Sequence, residues 1–432
     1  MALKRTIDAL VVGAGPVGLT AALALVRDGH RRVEIIDEAD RRTGMSYALA
    51  LHPATLEALE RLGVAAALVA RGNRVDRVVL YDGAVRKAEL ELGTLDRSHP
   101  YLLVVPQNEL EDVLLAALAA EGVEVLWRHR LSRLEAGAAA VACAIDRIDS
   151  DSSGYAVAKS GGVVGKTFER DIPLVLGADG HASLVRRQLG IERLAAGPAG
   201  TVAVFELEGK NLPTDLPPDA ARRELRITWN GGLRSVWWPL PGDRTRLGFE
   251  LPADAGPTAA RGKSRLPSIV PWLASTLDDR RLAELAAERL PWNAAPSGRL
   301  MWSVAVRFER ALAASFGRGR VWLAGDAAHL AFPFGVQSMN EGIVEARELA
   351  VRFGRVLAGT EPLASLEAYG HERLARWRTL FTPAAEPVAG WLGGDPWLAA
   401  NAGGILEALP VAAGDAEVLL ARAVAPVVAP AR

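Results

Sequence analysis

The sequence predicts an α/β fold: a parallel sheet assembled from separated pieces of the chain, an antiparallel sheet inserted into it, and helices toward the C-terminal end. Three observations carry that reading. Residues 7–12, 16–28 and 33–36 read as strand, helix and strand, the opening of a βαβ unit. Two further short apolar strands, 172–176 and 320–324, each run into a turn containing Gly and Asp. Between them, residues 201–250 read as strands separated by turn signals at Gly231-Gly232 and Pro241-Gly242, which suits an antiparallel sheet.

The elements follow in order. A proline opens the helix at 16–28, where a missing N–H costs nothing, and Gly29 stands just past its end. Residues 53–62 place Leu56, Leu59 and Leu62 on one helical face; 108–120 is a further helix and 123–127 a strand. From 136 to 169, short alternating stretches divided by Gly and Ser predict antiparallel hairpins. Strands are expected at 202–205, 225–229, 235–238 and 246–250, a loop rich in Pro, Gly and Ala at 252–265, and helices near 267–290. Helices at 340–357 and 363–380 and a mostly helical tail complete the chain. The expected organisation is discontinuous. Residues 1–75, 101–190 and 295–360 form the parallel-sheet domain, 76–100 and 191–294 the inserted sheet, and 361–432 a C-terminal helical segment.

Composition narrows the function. Of 432 residues, 50% are hydrophobic and 23% charged, enough for a large core. Basic and acidic residues number 50 and 51, a balance that argues against nucleic acid as the main partner. A single cysteine, Cys143, excludes an intrachain disulfide, and its apolar strand context reads as a buried, inert thiol. The 7 histidines show no HxxxH-type spacing, so no metal site is expected. Lys4-Arg5 and the apolar run behind them imitate a signal peptide, but Asp8, Gly13, Gly15 and Gly18 interrupt it, and no stretch is long enough to span a membrane. A soluble, cytoplasmic monomer or homodimer is expected.

The first chemical motif is Gly13-Ala14-Gly15-Pro16-Val17-Gly18, a GxGxxG between a strand and a helix. Such a loop turns tightly at the first glycine, lets amides approach a pyrophosphate at the second, and packs helix on strand at the third. Asp37, at the end of the second strand, is placed to hold a ribose hydroxyl. This motif admits either NAD or FAD.

Two later motifs are more selective: Gly177-Ala178-Asp179-Gly180-His181, continuing to Arg186, and Gly325-Asp326-Ala327-Ala328-His329, continuing through Pro333 to Gly342. Together the three resemble the flavin-dependent aromatic monooxygenases, the group that includes para-hydroxybenzoate hydroxylase and polyketide hydroxylases. The resemblance runs through most of residues 5–380, including Tyr369 with Glu372-Arg373. It implies a Rossmann-like FAD-binding domain with an inserted substrate sheet, FAD as cofactor and NAD(P)H as transient co-substrate. A flavin C4a-hydroperoxide would pass one oxygen atom to an aromatic or polyketide-like molecule. It further implies that the chain stops short of the thioredoxin-like extra domain of some larger relatives.

Roles carry over residue by residue. Gly13, Gly15, Pro16, Val17 and Gly18, with Asp37 and Glu38, would hold the dinucleotide. Ser46 and Tyr47 would run past the flavin, and Gln107 would lie near the ribityl chain. Asp179 would serve both the pyrophosphate region and the nicotinamide, with Arg41 or Arg42 on the same docking surface. Gly325 and Asp326 would meet the ribityl chain. Pro333 and the segment Gly335, Val336, Gln337, Ser338, Met339 and Asn340 would pass the pyrimidine side, with a helix N-terminus aimed there. His329 would orient its loop rather than act as a base. Trp237 and Phe249 are candidates for the substrate wall; Trp237 and Trp238 must face opposite sides of their strand.

The chain departs from the family pattern at several positions. Val336 and Ser338 replace glycines, Tyr47 and Ala54 stand where arginines are common, and Glu345 and Glu348 replace an aspartate and an asparagine. Val336 is expected in an extended conformation, because a β-branched residue is strained in the left-handed region, with Ser338 donating to the flavin. Alternative functions are a non-hydroxylating FAD oxidoreductase, a flavin halogenase and a non-catalytic FAD-binding protein. The Trp-x-Trp-x-Ile-Pro string of halogenases is not present; the nearest stretch is Trp237-Trp238-Pro239-Leu240-Pro241.

Overall fold

Strand Ala9–Val12 is apolar and wholly buried, as befits the middle of a sheet covered on both faces. It pairs in parallel with Val33–Asp37 on one side and Leu174–Gly177 on the other. Val125–Trp127 and Val321–Leu323 extend the parallel sheet outward, and Gly317–Arg318 closes one edge antiparallel. The sheet is thus built from four distant stretches of sequence. The computed structural model describes residues 7–29, 31–41, 49–149, 163–209, 212–213, 215–252, 277–292, 296–381 and 395–423.

Helix Pro16–Arg27 packs against both Gln107–Ala120 and the long helix Gln337–Leu357. Its buried residues are mostly alanine and leucine, small enough for close helix contact. The antiparallel strands His129–Ala136, Val141–Asp149 and Val163–Ile172 form a separate three-stranded sheet whose Leu131, Leu134 and Ile145 join the same core. Cys143 is buried there, and burial pushes its thiol up to about 12.

The inserted sheet has eight strands. Its order is His329–Leu330, Arg299–Ala313, Arg193–Glu208, Arg244–Leu251, Leu233–Leu240, Glu224–Asn230, Arg77–Asp82 and Val85–Glu91. All neighbours are antiparallel except Glu224–Asn230 with Arg77–Asp82. Two features differ from the sequence expectation. The strand expected at 202–205 runs the length of Arg193–Glu208, and its partner Arg299–Ala313 carries the sheet past residue 294. Charged Arg307, Glu309 and Arg310 mask the alternation of that second strand. Of the helices expected near 267–290, Asp279–Arg289 is described; the loop expected at 252–265 lies almost wholly outside the described residues. The tail forms helices Pro396–Ala408 and Ala413–Ala421, which pack on the inserted sheet. Among the described residues, no helix is long and apolar enough to cross a membrane.

Candidate functional site: a cleft between two sheets

The turns after three adjacent parallel strands open on one cavity of about 510 Å³, whose far wall is a face of the inserted sheet. Ligands of open α/β sheets bind at this end, outside the carboxyl ends of the strands.

The first turn is shaped by its glycines. Gly13 has φ +104°, and a Cβ there would overlap the Ala178 carbonyl; a Cβ on Gly18 would overlap the Gly13 carbonyl. Gly15 is different: a Cβ there meets nothing within 4 Å, because the residue faces the cavity, as do Pro16 and Val17. Asp37 ties the turn to the next strand, accepting from Ala14 N at 2.7 Å and from Ala39 N at 2.8 Å. Glu38 is exposed and stands apart from the cavity wall. Ser46, Tyr47 and Arg42 lie outside the described residues. Gln107 lines the cavity and donates to Glu111 at 2.8 Å.

Asp179 does not reach into the cleft. Its carboxylate accepts from Ser183 Oγ at 2.6 Å, Leu184 N at 2.6 Å and Val185 N at 3.1 Å, holding the turn before helix Leu184–Gln188. Burial raises its pKa against these hydrogen bonds. These bonds give Asp179 a turn-holding role, and Ala178, Gly180 and His181 form this part of the cavity wall. Arg186 bridges to the third motif, donating to the Ala327 carbonyl at 2.9 Å.

In the third motif, Asp326 faces the cavity with no hydrogen-bond partner among the described residues. Burial raises its pKa, and Glu345 pushes the same way while His329 opposes. His329 is fully buried. Its Nε2 meets Glu345 Oε2 at 2.7 Å, and its ring stacks on Trp377 at 3.8 Å. Glu345 also accepts from Gly325 N at 3.1 Å and Trp377 Nε1 at 2.7 Å. Burial alone would raise the Glu345 pKa, but these partners outweigh it and hold the group ionised. His329 orients the loop, and the Glu345 carboxylate serves three partners: His329, Gly325 and Trp377.

The loop after it departs from expectation. Val336 is left-handed, with φ 50° and ψ 32°, immediately before helix Gln337–Leu357. That conformation costs a β-branched residue about 1–3 kcal/mol. The extended geometry expected for Val336 is wrong because neighbours over-determine the turn. Asn340 donates to the carbonyls of Val336 and Ala50, both at 2.9 Å, and accepts from His52 N at 2.8 Å. His52 Nε2 donates to the Gly335 carbonyl at 2.9 Å. Ser338 Oγ accepts from Ala331 N at 2.8 Å, so the hydroxyl expected to serve the flavin has a partner in its own loop. Pro333, Val336, Gln337, Ser338 and Met339 line the cavity; Asn340 is buried behind them.

The far wall corrects a second expectation. Register aligns Trp302, Glu206, Arg246 and Trp238 in one row across four strands, and Val304, Val204, Gly248 and Val236 in the next row on the same face. This face lines the cavity, with Phe308, Phe332 and Phe334 around it. Trp237 and Phe249 point to the opposite face, buried with Leu282, Leu285 and Ala286 under helix Asp279–Arg289. Only one of the adjacent tryptophans faces the cleft, as the pleat demands, but it is Trp238. Arg246 is buried, bonded to Glu206 at 2.6 Å and set over the Trp302 ring. It is the cleft's principal polar residue that motif reasoning missed.

The family described as FAD binding domain matches residues 6–383. The chain belongs to this FAD-binding family. It is 32% identical over 367 residues to 6-methylpretetramide 4-monooxygenase of Streptomyces rimosus, covering 84% of this chain and 58% of that protein. It is 26% identical over 407 residues to para-nitrophenol 4-monooxygenase of Pseudomonas sp. strain WBC-3, covering 90% and 88%. The chain spans about three fifths to two thirds of the length of the first four curated relatives. A solved structure of p-nitrophenol 4-monooxygenase from Pseudomonas putida has a TM-score of 0.71 at 22% identity and 96% coverage of both chains, a likeness of fold.

The residues present fit FAD. Gly15 leaves an open cradle beside the start of helix Pro16–Arg27, where a phosphate is favoured. Asp326 presents to the cavity a carboxylate suited to a hydroxyl-bearing chain. An unmet acceptor on this wall asks for a ligand with donors. Among the described residues no cluster of potential metal ligands is present.

Proposed function

We propose that this FAD-binding chain is a monooxygenase that uses NAD(P)H and dioxygen to hydroxylate an aromatic or polyketide-like small molecule. The observation that carries the reading is the shared cavity. One wall offers the glycine turn and Asp326; the facing wall is an apolar floor of Val204, Val236, Val304 and Gly248, with tryptophans and phenylalanines at its margins. That floor suits a planar ring system held against a flavin. The names of the relatives support the same reading: 6-methylpretetramide and anhydrotetracycline monooxygenases, and para-nitrophenol 4-monooxygenase.

When bound, FAD supplies the redox chemistry, taking electrons from NAD(P)H and activating dioxygen. The chain's own residues position and shield. Asp326 would accept hydrogen bonds from the cofactor. The N-terminus of helix Gln337–Leu357 favours negative charge at the adjoining part of the cavity. Phe308, Phe332, Phe334 and the valine row exclude water from the space above the floor. Arg246, kept in place by Glu206, offers the substrate a polar end to the floor. The parallel sheet with its turns acts as the cofactor domain and the eight-stranded sheet as the substrate domain.

The test is direct. The purified chain, loaded with FAD, should oxidise NAD(P)H faster in the presence of an aromatic substrate, and label from ¹⁸O₂ should enter the product. NAD(P)H oxidation with no oxygen transferred to any of a panel of phenolic and polycyclic compounds would favour a reductase. Trp238→Ala should raise KM for the substrate by about tenfold, the loss of one aromatic contact. Trp237→Ala should leave KM unchanged and lower stability by about 3–5 kcal/mol, as a core truncation does.

A further inference from the structure

Val336 is one of two non-glycine residues with positive φ among those described; the other, Arg128, sits in a turn between strands. Something must hold a valine there. The C-terminal segment 407–411 closes on it from both sides. On one side, a Cβ at Gly335 would overlap the Glu407 carbonyl and stand 3.1 Å from the Leu409 carbonyl. On the other, Gln337 Nε2 donates to the Leu409 carbonyl at 3.0 Å and the Val411 carbonyl at 2.9 Å. Two carbonyls can only accept, so the amide is oriented with its Nε2 on the segment. Its Oε1 is buried without a partner.

The segment is itself anchored. Glu407 pairs with Arg310 at 2.6 Å and with Arg234 at 2.7 Å, and Arg234 is fixed to Glu250 of the substrate sheet at 2.9 Å. Leu398, Ile405, Ala408 and Leu409 share a buried cluster with Phe332 and Phe334, which flank the loop. Asn340 and His52 also bond to this loop, but through the carbonyls of Val336 and Gly335. The C-terminal segment meets the two residues on either side of the strained one.

We propose that segment 407–411 is a clamp that holds Gly335-Val336-Gln337 in its left-handed turn and so positions the first turn of helix Gln337–Leu357 toward the flavin. Gln337 is then a positioning residue: the tail fixes its amide and, through it, the start of the helix beside the cavity. This rests on the reading that FAD occupies the cavity.

The test loosens the clamp at a distance from the cavity, with Glu407→Ala and Leu409→Ala together, in two backgrounds. One keeps Val336; the other carries Val336→Gly, which adopts the turn without strain. FAD affinity is read by flavin fluorescence, and amide hydrogen exchange at 335–338 is read on the FAD-free protein. With Val336 present, loosening should weaken FAD binding by roughly five- to a hundredfold and speed exchange at 335–338. With Val336→Gly, the loss of affinity should fall below about threefold. Equal losses in both backgrounds, or unchanged exchange, overturn the clamp and leave the turn to Asn340 and His52. A parent chain that binds no FAD would break the cofactor reading instead, while the exchange experiment still decides the clamp. Circular dichroism on each variant identifies any that fails to fold, and Glu407→Gln, which weakens only the arginine pairs, then takes its place under the same two outcomes.

Discussion

Two turns deliver the chain to the start of a helix beside the same cavity, and they do so by opposite means. In the turn 13–18 the demanding backbone positions are glycines. Gly13 takes a positive φ, Gly18 lets the helix touch the preceding carbonyl, and both requirements are met locally. In the turn 335–338 the left-handed residue is a valine, held from outside by Asn340, His52 and the C-terminal segment. The difference shows that a turn's shape can be written in its own residues or imposed by the rest of the molecule. In the second case its stability is that of the contacts around it.

Substitutions separate the two cases. The largest effect is expected at Gly18. Gly18→Val places a side chain against the Gly13 carbonyl, which is backbone and cannot yield, so urea unfolding should show a loss above about 4 kcal/mol or no folded protein. Gly15→Leu should leave the fold intact, since nothing lies within 4 Å of the new Cβ, but fill the cradle. FAD affinity should fall by at least about a hundredfold, with an unchanged unfolding midpoint in the FAD-free protein.

The second turn should respond to pH. Burial drives the His52 pKa from 6.5 down to about 3, the Arg376 charge acting the same way and the Gly335 hydrogen bond opposing. His52 is therefore neutral in the fold, while the unfolded chain takes up a proton below 6.5. The contribution to stability is complete above that value and is lost progressively as pH falls toward 3. Thermal unfolding followed across this range should lose part of its pH slope in His52→Gln, which keeps a donor for Gly335. An identical slope would show that His52 takes no part. The smallest effect is expected for Val336→Gly alone. Relief of strain and the greater freedom of glycine in the unfolded chain oppose each other, so stability should change by less than about 1 kcal/mol. A large gain would mean that the valine is held less firmly than its partners indicate.

The first turn was legible in the sequence because its physics is local: a strand, three spaced glycines, a proline and a helix lie within 20 residues of one another. The parallel sheet followed, since buried strands ending in Gly-Asp turns have one place to go. The second turn was not legible. Nothing near Val336 favours a left-handed residue; the groups that enforce it come from residues 52, 340 and 407–411. The tryptophans failed in another way. The alternation of Trp237 and Trp238 was plain, but which one faces the cleft depends on pairing with Arg244–Leu251 and on the helix Asp279–Arg289 covering the other side. Glu345 departs from the family pattern in the sequence, but its partners His329, Gly325 and Trp377 come together only through the tertiary fold.

The order in which the sheet is threaded bears on how the protein is made. Leu174–Gly177 waits for its neighbour Val321–Leu323 until seven of the eight strands of the inserted sheet have been synthesised, and the cavity loop waits longer still for residues 407–411. A growing chain can form the early glycine turn on the ribosome, but the pocket it faces has no third wall. Contacts of such long sequence separation also make for slow folding. Flavin capture thus waits for residues 407–411, and arrested chains ending before residue 400 should retain no FAD.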